Sequence, residues 1–183
     1  MGVSDGLLTE FDLEMASTRR TLERIPEDKL TWKPHEKSMG LGRLAGHLAE
    51  LPGFGLRMMQ MDRFDLGNRP PGQKPPVVAE SQKHVLEIFD KNVAQLREAI
   101  AGASDADLQK NWTLALGEKK IYDGSRMGAL RRMMMNHMIH HRAQLGVYLR
   151  LNDVPVPSVY GPTSDQTWDG ADPTTSVAAA GRK

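Results

Sequence analysis

Apolar residues recur every three to four positions along four stretches of the chain, which is the spacing of one buried helix face. These stretches predict helices at about residues 5–25, 39–58, 79–101 and 125–151. Pro26 should end the first helix, because proline has no backbone N–H and cannot continue the hydrogen-bond ladder. Ser38 is the expected N-cap of the second helix, and Pro52 should kink or split that helix.

The segments between the predicted helices are long. Residues 62–76, DRFDLGNRPPGQKPP, are rich in turn-forming residues and should be extended, and the alternation in NWTLALGEKKIYDG at 111–124 predicts a short hairpin. Four amphipathic helices with such links predict an all-α fold, a four-helix bundle with long crossover connections. We expect one domain over residues 1–165 and a tail over 166–183, whose composition is typical of a flexible segment.

Composition narrows the functional classes. The 183-residue chain has 24 Lys and Arg against 23 Asp and Glu, and its formal charge of +1 argues against a nucleic-acid-binding module, which usually has a basic excess. The absence of cysteine fits a reducing compartment and excludes a protein thiol as nucleophile or metal ligand. No apolar run approaches the ~20 residues that span a bilayer. We therefore expect a cytoplasmic protein with neither a nucleic-acid nor a membrane partner.

The segment MMMNHMIHHRAQL places three histidines in the fourth predicted helix. At 3.6 residues per turn, His137 and His141 lie about 40° apart on its apolar face, whereas His140 points toward the boundary of that face. A buried imidazole needs partners for both ring nitrogens, since an unsatisfied polar group costs about 1–3 kcal/mol. A shared metal ion would satisfy the inward pair. The alternative is a pair of core histidines that bond to carbonyl groups or water.

The second predicted helix carries another histidine, His47, on its apolar face. Facing helices of a bundle commonly assemble metal sites from inward side chains. Three neutral imidazoles would leave one coordination position open, which is the pattern of catalytic rather than structural zinc. His35 lies in a predicted loop and His84 lies near the edge of the third helix, so we expect both to be solvated.

Three segments, TWKPHEKSMGLGRLAGHLAELPG, NHMIHHRAQLGVYLR and VPVPSVYGPTSD, follow one another with helix-sized separations. In these segments the chain resembles the DinB superfamily, over roughly residues 11–165. The resemblance implies a four-helix bundle with one metal held by three histidines, which map onto His47, His137 and His141. The helix faces select the same trio. The resemblance also implies that His140 is not a ligand and, since relatives often pair, that the protein is a homodimer.

Four further residues are candidates for supporting or lining this site. Gln144 lies three residues beyond one predicted ligand and could hydrogen-bond a ligand or a bound water. Glu50 lies one turn past another and is either an acceptor for a ring N–H or a solvated carboxylate at the helix edge. Asn92 interrupts the apolar face of the third helix and either reaches the site or is a packing amide with a backbone partner. Tyr160 either lines the pocket or packs as an ordinary aromatic residue.

The resemblance and the open metal position lead to three functional hypotheses. The leading one is a divalent-metal-dependent transferase that uses an external low-molecular-weight thiol, as characterised members of the family do. The alternatives are a metal-dependent hydrolase of an ester or amide, with Glu50 as its candidate base, and a non-catalytic metal-binding stress-response protein. Arg43, Arg57 and Arg142 could bind the carboxylates of a thiol or be ordinary surface charges. We expect a small-molecule substrate and one divalent transition metal, zinc or nickel before iron, because imidazole suits all three.

Overall fold

Four long helical runs make up most of the structure, as the apolar periodicity predicts. The computed structural model describes residues 2–68 and 75–167 of the chain. Its helices in chain order are α1 (Val3–Leu22), α2 (Leu41–Gln60), α3 (Gln82–Ala101), α4 (Asp105–Gln109), α5 (Arg126–Ala129) and α6 (Asn136–Leu151). A π-helical segment, Leu130–Met135, joins α5 to α6 and makes the fourth run continuous. Within the two described ranges, no helix has the length and apolar character that a membrane crossing requires.

The start of α2 differs from the prediction. Ser38 is not its N-cap, because the helix begins after Gly40. The first two amide groups of α2 donate to the carbonyl oxygens of Trp32 and Leu30, each at 2.8 Å. The preceding loop therefore satisfies amide groups that a serine side chain would otherwise cap.

Pro52 does not split α2, which runs unbroken over Leu41–Gln60 with the proline inside it. Proline removes one backbone donor from its turn and crowds the preceding carbonyl groups. In this part of the helix, the side chain of Asn92 on α3 donates from Nδ2 to the Ala49 carbonyl oxygen at 2.8 Å. Proline leaves the Leu48 carbonyl without its helical donor, and the bond from Asn92 to the adjacent Ala49 carbonyl ties this turn of α2 to α3.

A small sheet corrects the prediction of an all-α fold. Strands β1 (Arg63–Asp65), β2 (Asn111–Leu116) and β3 (Lys119–Ser125) lie in that order, with β1 parallel to β2 and β2 antiparallel to β3. The hairpin of β2 and β3 is the predicted one, and it turns at Gly117, whose φ of +60° favours glycine. The sequence pattern does not predict β1, because three residues are too few to show an alternation. The fold is therefore mostly helical with a small sheet.

The core lies where the inward faces of the helices meet the sheet. Aromatic rings join the two parts: Phe54 of α2 packs edge-on against Phe64 of β1 and Trp112 of β2, with ring centroids 5.5 and 6.1 Å apart. The largest fully buried side chains include one or more from each long helical run, namely Phe11, Leu22, Leu44, Leu48, Met58, Phe89, Leu96, Ile100 and Leu130.

The π-helical segment changes which side chains of the fourth run face the core. A constant helical period places Met133 and Met134 inward together with His137. In the structure, Met134 is fully buried as predicted, but Met135 is fully buried as well, whereas Met133 is only partly buried. A π-turn contains more residues than an α-turn, so it rotates the residues before His137 relative to those after it. The predicted face is therefore confirmed at Leu130 and Met134 but wrong at Met133, whose place in the core is taken by Met135.

After α6 the chain folds back along the helix. Asp165 accepts a hydrogen bond from the Val156 amide at 2.8 Å and pairs with Arg150. Gln166, which composition assigns to the tail, accepts a hydrogen bond at its carbonyl oxygen from the Thr163 amide at 2.8 Å. The rest of the predicted tail, from residue 168, and residues 69–74 of the predicted extended connection lie outside the described residues.

Candidate metal centre

Three histidines from two helices meet at one point. His47 comes from α2, and His137 and His141 come from successive turns of α6. The Nε2 atoms of His137 and His141 are 2.8 Å apart, and those of His47 and His137 are 3.4 Å apart. One potential ligand atom from each ring lies within 4.8 Å of the other two. The structure thus brings the three predicted ligands together.

Close backbone contacts hold α2 in place beside this cluster. A Cβ atom added to Gly46 would lie 2.2 Å from the carbonyl oxygen of Val77, and one added to Gly42 would lie 3.0 Å from that of Leu30. Only glycine permits the approach at Gly46, and the approach at Gly42 is tight for any other residue, so the loop before α2 and the connection before α3 both pass directly against the helix. Since Gly46 directly precedes His47, the same packing sets the position of this predicted ligand.

Burial keeps the three imidazoles neutral. It is the main reason that the pKa of His47 falls from 6.5 to about 3, and the charges of His141, His137 and Arg43 add to the effect. Burial also lowers the pKa of His137 and the pKa of His141. Neutral imidazole is the form that binds a metal, so the site does not have to lose protons near neutral pH before it binds one.

The outward-facing ring nitrogens of His137 and His141 have partners outside the cluster. Nδ1 of His141 lies 2.7 Å from Oε1 of Gln144, and since an amide oxygen can only accept, Nδ1 carries the proton. A hydrogen bond to the backbone of Met133 partly offsets the effect of burial on the pKa of His137, which identifies the carbonyl group as the acceptor. Because Nε2 of His137 faces the other rings, its outer nitrogen makes this bond. Both Nε2 atoms therefore present lone pairs to the cluster.

These lone pairs fit a metal ion. Two nitrogen lone pairs 2.8 Å apart repel each other unless a cation or a shared proton lies between them. Nitrogens bound to tetrahedral zinc at about 2.0–2.1 Å are about 3.3 Å from one another. The 3.4 Å between Nε2 of His47 and Nε2 of His137 is close to that value, whereas the 2.8 Å between Nε2 of His137 and Nε2 of His141 is shorter, so these two rings would move slightly apart around an ion.

Glu50 lies one turn past His47 but bonds to other groups. Its Oε1 accepts from the Val77 amide at 3.0 Å, and its Oε2 pairs with Nη1 of Arg43 at 3.2 Å. Arg43 also donates to the Val77 carbonyl oxygen at 3.1 Å. The charge of Arg43 contributes, after burial, to the lowered pKa of His47 and of His141. Glu50 therefore anchors the connection before α3, and Arg43 is a cation within reach of the cluster.

The two remaining candidates bond elsewhere in the fold. Asn92 bonds to the backbone of α2, as described above. The hydroxyl group of Tyr160 accepts from Arg142 at 2.8 Å and donates to Glu14 at 2.7 Å. Arg142 itself is only 4% exposed, so its interpretation as a surface charge is wrong. Arg57, the third candidate cation, lies over the ring of Phe64.

The other three histidines lie outside the cluster. His35 is exposed, and its Nδ1 accepts a hydrogen bond from the Lys37 amide at 3.1 Å. His84 is partly buried, and its Nδ1 accepts from the Glu80 amide at 3.4 Å. His140 is exposed and contacts the side chain of Gln144. Its spacing from Gln144, one helical turn, was the only sequence signal for this contact.

The sequence model of one protein family matches nearly the whole chain. The model of the DinB family matches residues 1–171. The chain belongs to the DinB family. This confirms the resemblance that the sequence segments indicate.

Relatives of this DinB-family chain come from Bacillus. It is 25% identical over 165 residues to the uncharacterized protein YrdA of Bacillus subtilis (strain 168). The match covers 88% of this chain and 90% of YrdA. It is 30% identical over 149 residues to the uncharacterized protein YjoA of the same strain, covering 80% of this chain and 89% of YjoA.

Solved structures of DinB-like proteins share the fold. A protein from Bacillus cereus ATCC 10987 superposes with a TM-score of 0.64 at 22% identity, covering 85% of this chain and 97% of that one. The structure of YjoA superposes with a TM-score of 0.61 at 17% identity, covering 81% of this chain and 92% of YjoA. At these identities the likeness shows the fold alone.

Proposed function

We propose that this DinB-family protein is a divalent-metal-dependent enzyme that transfers a group to an external low-molecular-weight thiol. The observation that carries the proposal is the convergence of three neutral imidazoles, from His47, His137 and His141, on one point. Among the described residues, no fourth histidine or carboxylate joins this group. A tetrahedral ion would therefore keep one position for an exogenous ligand, which is the catalytic pattern.

The chain supplies the ligands, their orientation and a nearby positive charge. A divalent metal, when bound, would lower the pKa of a coordinated thiol so that the thiolate is available near neutral pH. The sulfur attacks an electrophilic carbon of the second substrate, a sulfur–carbon bond forms, and the leaving group departs with the electron pair of its bond. The thiol proton is released to solvent. Because the chain contains no cysteine, the sulfur must come from a small molecule.

Two observations favour the thiol over the hydrolytic alternative. A hydrolase needs a free carboxylate or other base near the metal, but both oxygens of Glu50 are engaged by Val77 and Arg43. Glu50 and the Val77 carbonyl group both bind Nη1 of Arg43, and because this side chain is 28% exposed and has further N–H donors, it can also receive an anionic group of an incoming thiol. The small-molecule substrate, the homodimer, the cytoplasmic location and the identity of the metal stay predictions.

A titration of cobalt-loaded protein tests this function. Glutathione, mycothiol and bacillithiol are each added while absorbance and proton release are followed. The right thiol should produce a sulfur-to-cobalt charge-transfer band and release protons, because coordination lowers the thiol pKa below its free value of about 8.5. The controls are the S-methylated form of each thiol, which cannot form a thiolate, and a His47→Ala variant.

The outcomes separate the three hypotheses. Absence of the band and of proton release with all three thiols, together with turnover of an ester or amide, would replace the transferase by a hydrolase. Absence of both signals and of any turnover across a broad substrate panel would favour a non-catalytic metal-binding protein.

A further inference from the structure

His140 lies outside the histidine cluster but is connected to it through Gln144. Nε2 of Gln144 lies 3.1 Å from Nε2 of His140, while Oε1 of the same amide lies 2.7 Å from Nδ1 of His141. His140 is exposed, Gln144 is partly buried and His141 is buried. A continuous chain of hydrogen bonds therefore leads from the surface of α6 to a predicted metal ligand.

The chemistry of the amide fixes the direction of both bonds. An amide nitrogen can only donate, so Nε2 of His140 is an acceptor, and the amide oxygen can only accept, so Nδ1 of His141 is a donor. If the amide were rotated by 180°, its NH2 group would face Nδ1 of His141. That nitrogen would then have to accept, and the ring proton of neutral His141 would move to Nε2. Nε2 is the atom that faces His137 at 2.8 Å, and a protonated Nε2 cannot bind a metal.

An amide differs in this respect from the acceptors that more often support metal-bound histidines. Both oxygens of a carboxylate accept, and a backbone carbonyl cannot rotate, so either defines the histidine tautomer by itself. The two ends of a glutamine amide have opposite hydrogen-bonding character. Gln144 therefore needs a second partner to define its orientation, and in this fold that partner is His140 in its Nδ1–H tautomer, whose unprotonated Nε2 can only accept.

We propose that Gln144 and His140 are positioning residues that together hold His141 in its Nδ1–H tautomer, with the Nε2 lone pair directed to the centre. The proposal rests on the metal site of the proposed function. The tautomer itself, however, is a property of the metal-free protein and can be measured without any metal.

The first test is the tautomer of His141 in 15N-labelled, metal-free protein, read from long-range 1H–15N correlations at about pH 8, where imidazole is neutral. The wild type should show Nδ1–H. Gln144→Leu should shift the population toward Nε2–H, because the acceptor is lost, whereas Gln144→Glu should retain Nδ1–H. Gln95→Leu, which changes an exposed glutamine on α3, is the matched control and should resemble the wild type.

The second test is zinc affinity, measured by competition with a chromophoric chelator. Gln144→Leu should weaken binding about 10–100-fold, and Gln144→Glu should restore it. His140→Ala should weaken binding about 2–10-fold, in proportion to the lost population of the competent tautomer. In the Gln144→Glu background, His140→Ala should have no effect, because a carboxylate needs no orienting partner.

Two results would overturn the proposal. One is an Nδ1–H tautomer that persists unchanged in Gln144→Leu. The other is an equal loss of zinc affinity from His140→Ala in the wild-type and Gln144→Glu backgrounds. If the wild type binds no metal, the proposed function fails, but the tautomer of His141 still decides this inference when it is also measured in His140→Ala, which should shift the population toward Nε2–H.

Discussion

Two neighbouring side chains of α6, His141 and Arg142, connect different parts of the fold. His141 faces His47 of α2, with ring centroids 4.6 Å apart. Arg142 faces α1, where its Nη1 pairs with Glu14 at 2.8 Å, and its Nη2 donates to the hydroxyl group of Tyr160. Helix α6 thus contributes predicted ligands to the candidate centre through one face. Through another face, it binds α1 and the C-terminal segment.

Replacement of a predicted ligand should remove the metal. After zinc reconstitution and gel filtration, the wild type should retain about one zinc per chain, and His47→Ala and His141→Ala should each retain less than about a tenth of that. The physical reason is that each variant loses one of three Nε2 donors. Metal content is measured by inductively coupled plasma mass spectrometry. His35→Ala, an exposed histidine, is the control, and a His47→Ala protein with full zinc content would contradict the ligand set.

Removal of Arg142 should destabilise the protein strongly. Arg142→Met leaves the carboxylate of Glu14 buried without its partner, which should lower the free energy of unfolding by about 3–5 kcal/mol in urea denaturation. Adding Glu14→Leu to that variant should recover much of the loss, because no buried charge then remains. The control is Arg97→Met, which breaks the exposed ion pair with Asp12 and should cost much less stability, because solvent screens that pair. An equal loss of unfolding free energy in Arg142→Met and Arg97→Met would show that the buried ion pair contributes no more to stability than the exposed one.

At the scale of elements, the packing of α2 against the connection before α3 depends on Gly46. Gly46→Ala places a methyl group against the backbone of Val77, which cannot move aside as a flexible side chain could. Overpacking of this kind should cost about 1–3 kcal/mol of unfolding free energy. Gly6→Ala is the matched control, because no atom lies within 4 Å of its added Cβ in α1 and alanine is the better helix former. It should be neutral or stabilising by up to about 1 kcal/mol, and a similar loss in both variants would refute the role of Gly46.

The elements that could be predicted are those whose signal is local. The inward faces of α1 and α3, with Phe11 and Phe89, repeat along a single helix, and so does the spacing of His137 and His141. Strand β1 could not be predicted in this way, because its pairing partner β2 follows after a long stretch of chain. The π-helical segment could not be predicted either, because a helical wheel assumes a constant number of residues per turn.

The candidate site shows the same division. The apolar faces of two helices select His47, His137 and His141, but only the tertiary structure shows how close their Nε2 atoms lie. The engagement of Glu50 and the burial of Arg142 depend on contacts with Val77 and Glu14, which are distant along the sequence. The local sequence pattern around Glu50 or Arg142 therefore does not indicate these contacts.

At the scale of the whole molecule, a metal at this site would join α2 to α6, whose predicted ligands His47 and His137 are 90 residues apart along the chain. Because an ion that binds only the folded state stabilises it, zinc at 100 times its dissociation constant should add about 2.7 kcal/mol to the free energy of unfolding. For a chain of this size, that corresponds to a rise in Tm of roughly 5–11 °C. Differential scanning calorimetry with and without zinc should show this rise, and EDTA should reverse it. A His141→Ala protein with the same rise would place the stabilising ion elsewhere.

The measurement that tests the metal centre most directly is anomalous diffraction from crystals of zinc-reconstituted protein, collected above and below the zinc absorption edge. We expect one strong anomalous peak at about 2.0–2.1 Å from Nε2 of His47, His137 and His141. The fourth position should be occupied by a water or another small ligand rather than a protein side chain. A zinc peak bound to other residues, or no ordered zinc between these three rings in a protein that retains the metal, would contradict the account.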